Sequence, residues 1–466
     1  MNYAQLDRYQ LKVVNENTNL LVIAGPGSGK TTTIIRKVEK LLENNVPEDI
    51  VLISFTNKSV EDIKKRIKSN IFVTTFHKLA IDILKYNCIY FKICPTDLLE
   101  YIIDEYFSKL SAKNKKKILK LLHIKSLSND DKTYLSVKKN IITFINLFKT
   151  YNYKFDKIYE LYKTTSHKEL LLVIIKIFND YENEKQSQGL LDFDDLIISA
   201  TQILNTAYNY KHFKFIIIDE FQDTSLIRIN LIKAIYKGCH PIITVVGDDA
   251  QSIYHFSGCD INIFLNFKNY FDNSKILFLK NTYRNSQELI NISEKFISKN
   301  PQQIQKNMKS TFSIKKPINI VYYYSGIISF KKILLKISKV SNDILVLGRN
   351  QNDILEYVPN YINYNDENLE CYNIKFRYLT IHSAKGLESE YVILLNFSNN
   401  ITGLPNRIIN SDLINSLLCK DEFPFAEERR VFFVAITRCK YKTYIMTPIN
   451  NPSIFLKELK KIMQKK

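Results

Sequence analysis

The chain has 466 residues and no tryptophan, and its seven cysteines stand apart at positions 88, 94, 239, 259, 371, 419 and 439. An odd, scattered set without a Cys-x-x-Cys pair argues against a zinc ribbon or an iron–sulfur cluster. It fits reduced thiols in an intracellular compartment. Cys239-His240 and His255 with Cys259 lack a second matching pair, so no metal site is assigned to them. Long apolar runs are missing too: no segment approaches the ~20 residues that span a bilayer. Met1-Asn2-Tyr3-Ala4-Gln5 carries no basic stretch followed by an apolar one, so no secretory leader is expected. The protein is therefore expected to remain where it is made. Acidic residues are few, 47 against 66 Lys and Arg, for a formal net charge of +19. That excess favours polyanions, either nucleic acid or an anionic membrane surface. A solvated Lys-rich surface would account for it equally well, because frequent Asn, Ile, Lys and Tyr are what an AT-rich genome encodes.

With 45% hydrophobic and 24% charged residues, the composition is that of a globular protein large enough for more than one core. Short apolar runs end repeatedly in polar or Gly-rich turns: Asn19 to Ala24, Val51 to Thr56, Phe72 to Thr75, Phe215 to Asp219 and Ile242 to Gly247. Helical patterns such as Thr32 to Leu42 and Ser59 to Ile67 separate them. The alternation predicts a parallel sheet with crossover helices. A second set follows: Ile318 to Tyr324, Asp343 to Gly348, Phe376 to His382, Tyr391 to Phe397 and Thr443 to Thr447. Two α/β domains are expected, with a boundary near residue 281. Between His77 and Asp192 strand signals stop, and stretches such as Leu98 to Leu110 and Val137 to Phe148 read as a helical insertion. Its run Lys115-Lys116-Lys117 suits a phosphate backbone or a solvated helix face equally. The C-terminal lysines 460, 461, 465 and 466 read as a frayed basic tail.

Ala24-Gly25-Pro26-Gly27-Ser28-Gly29-Lys30-Thr31 follows one strand and opens a helix. Glycines let backbone N–H groups converge on phosphate oxygens. Lys30 would reach the β- and γ-phosphates, and the Thr31 hydroxyl would coordinate Mg2+. A second strand, Ile216-Ile217-Ile218, runs into Asp219-Glu220. One carboxylate there can hold the metal, and the next can polarise a water for attack on a phosphate.

The continuation Phe221-Gln222-Asp223-Thr224 resembles the Walker B segment of UvrD/Rep/PcrA-type superfamily 1A helicases. Other motifs follow in that family's order. Val245 to Tyr254 resembles motif III, Thr282-Tyr283-Arg284-Asn285-Ser286 motif IV, Leu379 to Glu388 motif V, and Val431 to Arg438 motif VI. The resemblance implies two RecA-like P-loop domains with a helical insertion, called 1B, in the first. It implies that Glu220 is the general base and that Gln251 senses the γ-phosphate or positions water. Arg284 and Arg438 are expected to reach across a cleft to that phosphate from a second domain, which would couple hydrolysis to domain closure. Gln5 is expected to read adenine, Tyr283 to stack on the base, and Gly386 and Glu388 to lie near the ribose. Phe55-Thr56-Asn57 resembles motif Ia, Thr75-Phe76-His77 motif Ib, and Leu191 to Leu196 motif Ic. With Thr380, His382 and Ser383 they would line a nucleic-acid track, where Phe55, Phe76, Tyr254 and Phe256 are the candidate stacking groups. Filling the core is the competing fate for each of these aromatics.

Some positions depart from the family. Ala24 replaces the first Gly of the general P-loop pattern, which the UvrD-like variant tolerates, and Thr32 stands where relatives often carry Arg. Phe256-Ser257-Gly258 lacks the usual Arg after the aromatic. Only Gln351 to Tyr378 lie between motif IVa and motif V, too little for the usual helical subdomain 2B. No nuclease-like C-terminal extension is expected. The expected organisation is residues 1–80 and 186–280 as domain 1A, 81–185 as insertion 1B, and 281–466 as domain 2A with 2B reduced to about 351–378. The expected function is an ATP- and Mg2+-dependent DNA helicase/translocase that moves on single-stranded DNA and unwinds 3′-to-5′ at its junctions with duplex, in replication, repair or recombination. It would work beside replication or repair proteins and apart from membranes, and RNA stays open as a strand. The alternative is an ATP-gated single-strand clamp without duplex unwinding.

Overall fold

The computed structural model describes residues 6–121, 126, 131–358, 368–408, 411–419 and 421–464. Its frame is two parallel sheets. The first contains β1 (Leu20–Ala24), β2 (Ile50–Ser54), β3 (Phe72–Thr75), β4 (Phe215–Ile218), β5 (Ile242–Gly247) and β6 (Lys275–Leu279). Their spatial order is β3-β2-β4-β5-β1-β6, all parallel. Strands β1 and β2 are buried along their whole length, which fits apolar runs covered by helices on both faces. The second sheet contains β7 (Ile318–Tyr323), β8 (Ile344–Gly348), β9 (Asn368–Cys371), β10 (Ile374–Thr380), β11 (Ser389–Leu394) and β12 (Cys439–Pro448). Its order is β7-β12-β11-β8-β10-β9, and only the β9–β10 hairpin is antiparallel. The α/β class with two parallel sheets is thus as the sequence led one to expect. Strand β6 was not anticipated. It starts at Lys275 and is buried only at Leu279, so it carries little apolar signal.

Helices Leu98–Ser108, Ala112–Leu121, Lys132–Thr150, Phe155–Thr164 and Lys168–Gln188 form a separate layer. Its stem is closed by a short pairing of Lys92–Ile93 with Leu190–Leu191. Two buried lysines, Lys149 and Lys185, meet Asp192 and Asp195 at the base of helix Phe193–Thr206. The layer has its own core, including Ile103, Phe107, Ile141 and Ile177. Leu413, Ile414 and Leu417, which follow the second sheet's β11, complete that core. Lys115 and Lys116 are exposed, and the Lys117 side chain lies outside the described residues. Between β8 and β10 the described residues hold a 3-10 helix, Gln351–Glu356, and hairpin strand β9. Among the described residues no helix is long and apolar enough to cross a membrane.

Candidate nucleotide cleft and nucleic-acid interface

Strand β1 delivers the chain to a glycine loop, and helix Lys30–Leu41 begins directly after it. Gly27 and Gly29 adopt φ +70° and +78°, a region that residues with a Cβ rarely enter. A Cβ at Gly27 would stand 2.4 Å from the Arg284 Cβ, so the loop tolerates no side chain there. Ser28 Oγ is buried and has no hydrogen-bond partner among the described residues. An orphan donor beside free helix N–H groups fits an anion such as a triphosphate.

The end of β4 brings Asp219 and Glu220 to the same loop. Lys30 Nζ lies 2.8 Å from both Glu220 carboxylate oxygens, and Gln222 Nε2 donates to Glu220 at 2.7 Å. Glu220 sits in the left-handed region at φ +51°, at the start of a 3-10 turn. Burial pushes its carboxyl up, but the charges of Lys30 and Lys385 outweigh burial and hold it low. Burial, and then the Glu220 charge, push Asp219 up to about 7. Among the described residues Asp219 has no ion-pair partner; its carboxylate accepts the Glu220 backbone N–H at 2.9 Å. A buried carboxylate with no ion-pair partner among the described residues, next in the chain to the Glu220 that pairs with Lys30, fits a divalent metal.

The second lobe reaches in through motifs V and VI. Arg438 is 1% exposed. It donates to Gln251 Oε1 at 3.2 Å, and through Nε to the Val434 carbonyl at 3.0 Å. Burial, and then the Arg284 charge, lower its pKa to about 9. Lys385 crosses the same boundary. It pairs with Asp223 and donates to the Gln251 carbonyl at 2.7 Å. Arg430 Nε donates to the Ser252 carbonyl at 2.6 Å.

Arg284 differs from expectation. It stands where the lobes join: Asn285, next to it, donates to the second-lobe carbonyls of Thr437 and Cys439 at 3.2 and 2.6 Å. The segment carrying it follows β6 and is fastened to the glycine loop: Thr282 Oγ1 donates to the Pro26 carbonyl and the Tyr283 N–H to Gly27. Its side chain pairs with Glu388 at 2.6 Å, so this carboxylate meets an arginine. The cleft of about 820 Å³ is lined by Lys30, Thr31, Glu220, Gln251, Arg284 and Arg438, and also by Tyr283, Gly386 and Glu388.

Gln5 lies outside the described residues. A different glutamine, Gln10, lines the cleft and donates to the Ser28 carbonyl at 3.3 Å. It belongs to a capping box with Asp7. The Asp7-x-x-Gln10 spacing was a legible signal for it. Asp7 also accepts from the Tyr283 hydroxyl at 2.8 Å. Lys306 was missed as well. It is buried between Asp248 and Asp249 and holds the motif III turn.

Over the first lobe, Thr56 and Thr75 cap the helices Asn57–Arg66 and Phe76–Tyr86. Their hydroxyls are committed to Ser59 and Lys78 N–H groups, while Asn57 is exposed. Phe76 is only 2% exposed and belongs to the first core, so it does not offer a stacking face. It meets half-buried Phe55 edge-on at 5.5 Å. His77 packs edge-on against Phe193, which is 50% exposed. Phe193, within motif Ic, is a surface aromatic the sequence reading did not single out. Phe256 is 51% exposed and lies 5.6 Å from the His382 ring. Tyr254 donates to the His382 carbonyl at 3.0 Å. Thr380 and Ser383 join hydroxyls at 3.0 Å on the same loop. Burial, reinforced by neighbouring cations, lowers His77 and His382 to about 4, so both are neutral near pH 7. Ser257 closes its turn on the Tyr254 carbonyl. Gly258 abuts Thr150 so closely that an added Cβ would stand 2.6 Å away, which joins this turn to the helical layer.

Comparison with known proteins agrees with this geometry. The family model for the UvrD/REP helicase N-terminal domain matches residues 6–272, and that for the UvrD-like helicase C-terminal domain matches 360–448. DNA helicase IV of Escherichia coli is 26% identical over 97% of this chain and 69% of its own length. The ATP-dependent DNA helicase Rep of Buchnera aphidicola (subsp. Schizaphis graminum) is 29% identical over 73% of this chain and 52% of its own. PcrA of Bacillus subtilis is 28% identical over 62% of this chain and 39% of its own. The chain therefore spans between two fifths and about two thirds of these relatives. A family match over more than half its length, on top of a P-loop, an Asp-Glu strand end and two sheets, places this chain in the UvrD/REP helicase family.

Proposed function

We propose that the protein is an ATP-driven motor that moves 3′-to-5′ on single-stranded DNA and unwinds duplex at the junction. The observation that carries this reading is Arg438, a second-lobe arginine buried against Gln251 beside the Lys30–Glu220 pair. Lys30 and the glycine-loop N–H groups would bind the phosphates. Thr31 and Asp219 would hold Mg2+, which neutralises charge on the phosphate oxygens when bound. Glu220, released as Lys30 turns to a phosphate, would accept the proton of the attacking water. Arg284 and Arg438 would stabilise the equatorial oxygens, and Gln251 would align the water. Gln10 would read the base and Tyr283 would stack on it. Because Arg438, Lys385 and Arg430 belong to the second lobe and their acceptors to the first, closure assembles the site.

Phe55, Phe193, Phe256 and neutral His382 would stack on bases without regard to sequence. Exposed Asn57 and the two capped helix N-termini would face phosphates. ATPase assays with and without oligo-dT test this reading. Strand stimulation is expected, with near-complete loss in Glu220→Gln; no stimulation, or full activity in that variant, would reject it.

A second reading, an ATP-gated strand clamp, is favoured by the small region between β8 and β10. Unwinding of 3′- and 5′-tailed DNA and RNA duplexes beside a translocation assay separates the two. It also fixes polarity and strand type.

A further inference from the structure

Arg228 belongs to none of the motifs above. It is the third residue of helix Leu226–Cys239, four positions after the end of the Asp219–Thr224 segment. Its guanidinium carbon stands 5.1 Å from the Phe55 ring centre and 6.0 Å from that of Phe76. Its Nη1 donates to the Asp223 carbonyl at 3.1 Å. Among the described residues the other donor to that carbonyl is the Cys259 thiol, a weak one. The same charge is felt by His77 and Asp194. Arg228 therefore sits where segments Ia, Ib and Ic converge.

The far side of the Asp223 turn is the hydrolytic site. Gln222 links that turn to the Glu220 carboxylate, and the Asp223 side chain holds Lys385 of the second lobe. Glu220 is in the left-handed region, so a small change in the turn re-aims it. A guanidinium is planar and rigid. It can lie on an aromatic ring and donate in its own plane at once, so a tilt of the ring becomes a tilt of the hydrogen bond.

We propose that Arg228 is a positioning residue that passes the state of the strand-facing Phe55 ring to the Asp223 turn, making hydrolysis respond to a bound strand. This rests on reading the protein as a strand-stimulated ATPase. Lysine cannot substitute, because a point charge lacks the fork and the flat face.

The test uses the full chain with Arg228→Gln, Arg228→Lys and Phe55→Leu. The readouts are ATPase with and without saturating oligo-dT, binding of labelled oligo-dT without nucleotide, and melting temperature. Both Arg228 variants are expected to lose at least tenfold in the stimulation factor, while strand binding weakens no more than threefold. Arg228→Gln combined with Phe55→Leu is expected to be no worse than the more affected single variant. A merely structural Arg228 would lower the melting temperature and leave the stimulation factor intact, which overturns the proposal. So does full rescue by lysine, or a loss of stimulation matched by an equal loss of binding. Stimulation of the parent chain is the control: its absence rejects the motor reading, whereas a stimulated parent with stimulated variants rejects only the role of Arg228.

Discussion

The ion pair between Lys385 and Asp223 should decide how firmly the lobes close. Both side chains are nearly inaccessible, 7% and 6% exposed. Lys385 also donates to the Gln251 carbonyl and lies over the Tyr254 ring at 4.9 Å. Lys385→Met keeps the length of the side chain and deletes the charge. Asp223 is then left buried; among the described residues Gln222 at 3.3 Å is its remaining side-chain donor and Oδ1 has no partner. Removing one member of a buried pair costs about 3–5 kcal/mol. The surviving Gln222 bond points to the lower end, ~3 kcal/mol, which is a factor of roughly 100 in the closed-to-open ratio at 1.4 kcal/mol per tenfold.

Urea unfolding and strand-stimulated ATPase read this together. Lys385→Met is expected to lose ~3 kcal/mol of stability and about 100-fold in kcat. Adding Asp223→Asn removes the stranded charge and should recover tenfold or more. The pH dependence has a definite sign. Burial already pushes the Asp223 carboxyl up, and Lys385 opposes that rise. Without Lys385 the folded protein holds that proton more tightly than the unfolded chain does. The destabilisation should therefore shrink as pH falls toward the ordinary carboxylate range and grow as pH rises above it. A single variant within ~0.5 kcal/mol of the parent and within threefold in kcat would refute the argument, as would a double variant no better than the single.

Glu427, half-buried where it accepts the His255 backbone N–H, is pushed up to about 7, chiefly by burial. Its contribution to stability is present below the ordinary glutamate pKa and is lost as pH rises through 7. Glu427→Gln should therefore stabilise the protein by about 2–3 kcal/mol at pH 8 and by less than half of that at pH 5, in thermal or urea unfolding; equal effects at both pH values would contradict this. Since the chain has no tryptophan, Phe256→Trp makes a single-tryptophan reporter at the exposed ring. Its fluorescence should be quenched by oligo-dT, and unchanged emission would remove Phe256 from the track. Leu417→Ala opens a cavity where a fully buried second-lobe side chain enters the helical layer. It should cost about 3 kcal/mol in urea unfolding, and a loss under ~1 kcal/mol would show that the two bodies do not share this core.

What the sequence could show depended on whether the constraint was local. The glycine loop was legible because left-handed glycines and Lys30 must occur together to hold a phosphate. The β4 run was legible because it is apolar throughout and ends in carboxylates. Phe76 was assigned to the track, although Phe76, Leu79, Ala80 and Ile83 follow a helical period and are all buried. That pattern, rather than the motif, foretold its fate. Arg284 was harder, because its segment is placed by hydrogen bonds of Thr282 and Tyr283 to a glycine loop distant in sequence. Gln10 had a local signal, its capping box with Asp7, that the sequence reading passed over. Lys306 and the Leu413–Leu417 cluster had no local signal, because their partners lie far away in the chain.

Those long-range contacts bear on how the cleft can move. The lobes meet at the nucleotide end through polar pairs: Arg438 with Gln251, Lys385 with Asp223, and Arg430 with Ser252. They meet again at the helical layer, where Leu413, Ile414 and Leu417 are buried and the Tyr153 hydroxyl donates to the Leu417 carbonyl at 2.9 Å. Three buried aliphatic side chains are worth roughly 1.5–3 kcal/mol each. The polar pairs owe their strength to groups that phosphates can compete for or realign. On the proposed motor reading, opening at the nucleotide end would strain the more adjustable contact first, with the apolar contact as the pivot. The helical layer would then be part of the hinge, and the turn carrying Phe256, wedged against Thr150 through Gly258, would lie beside that pivot.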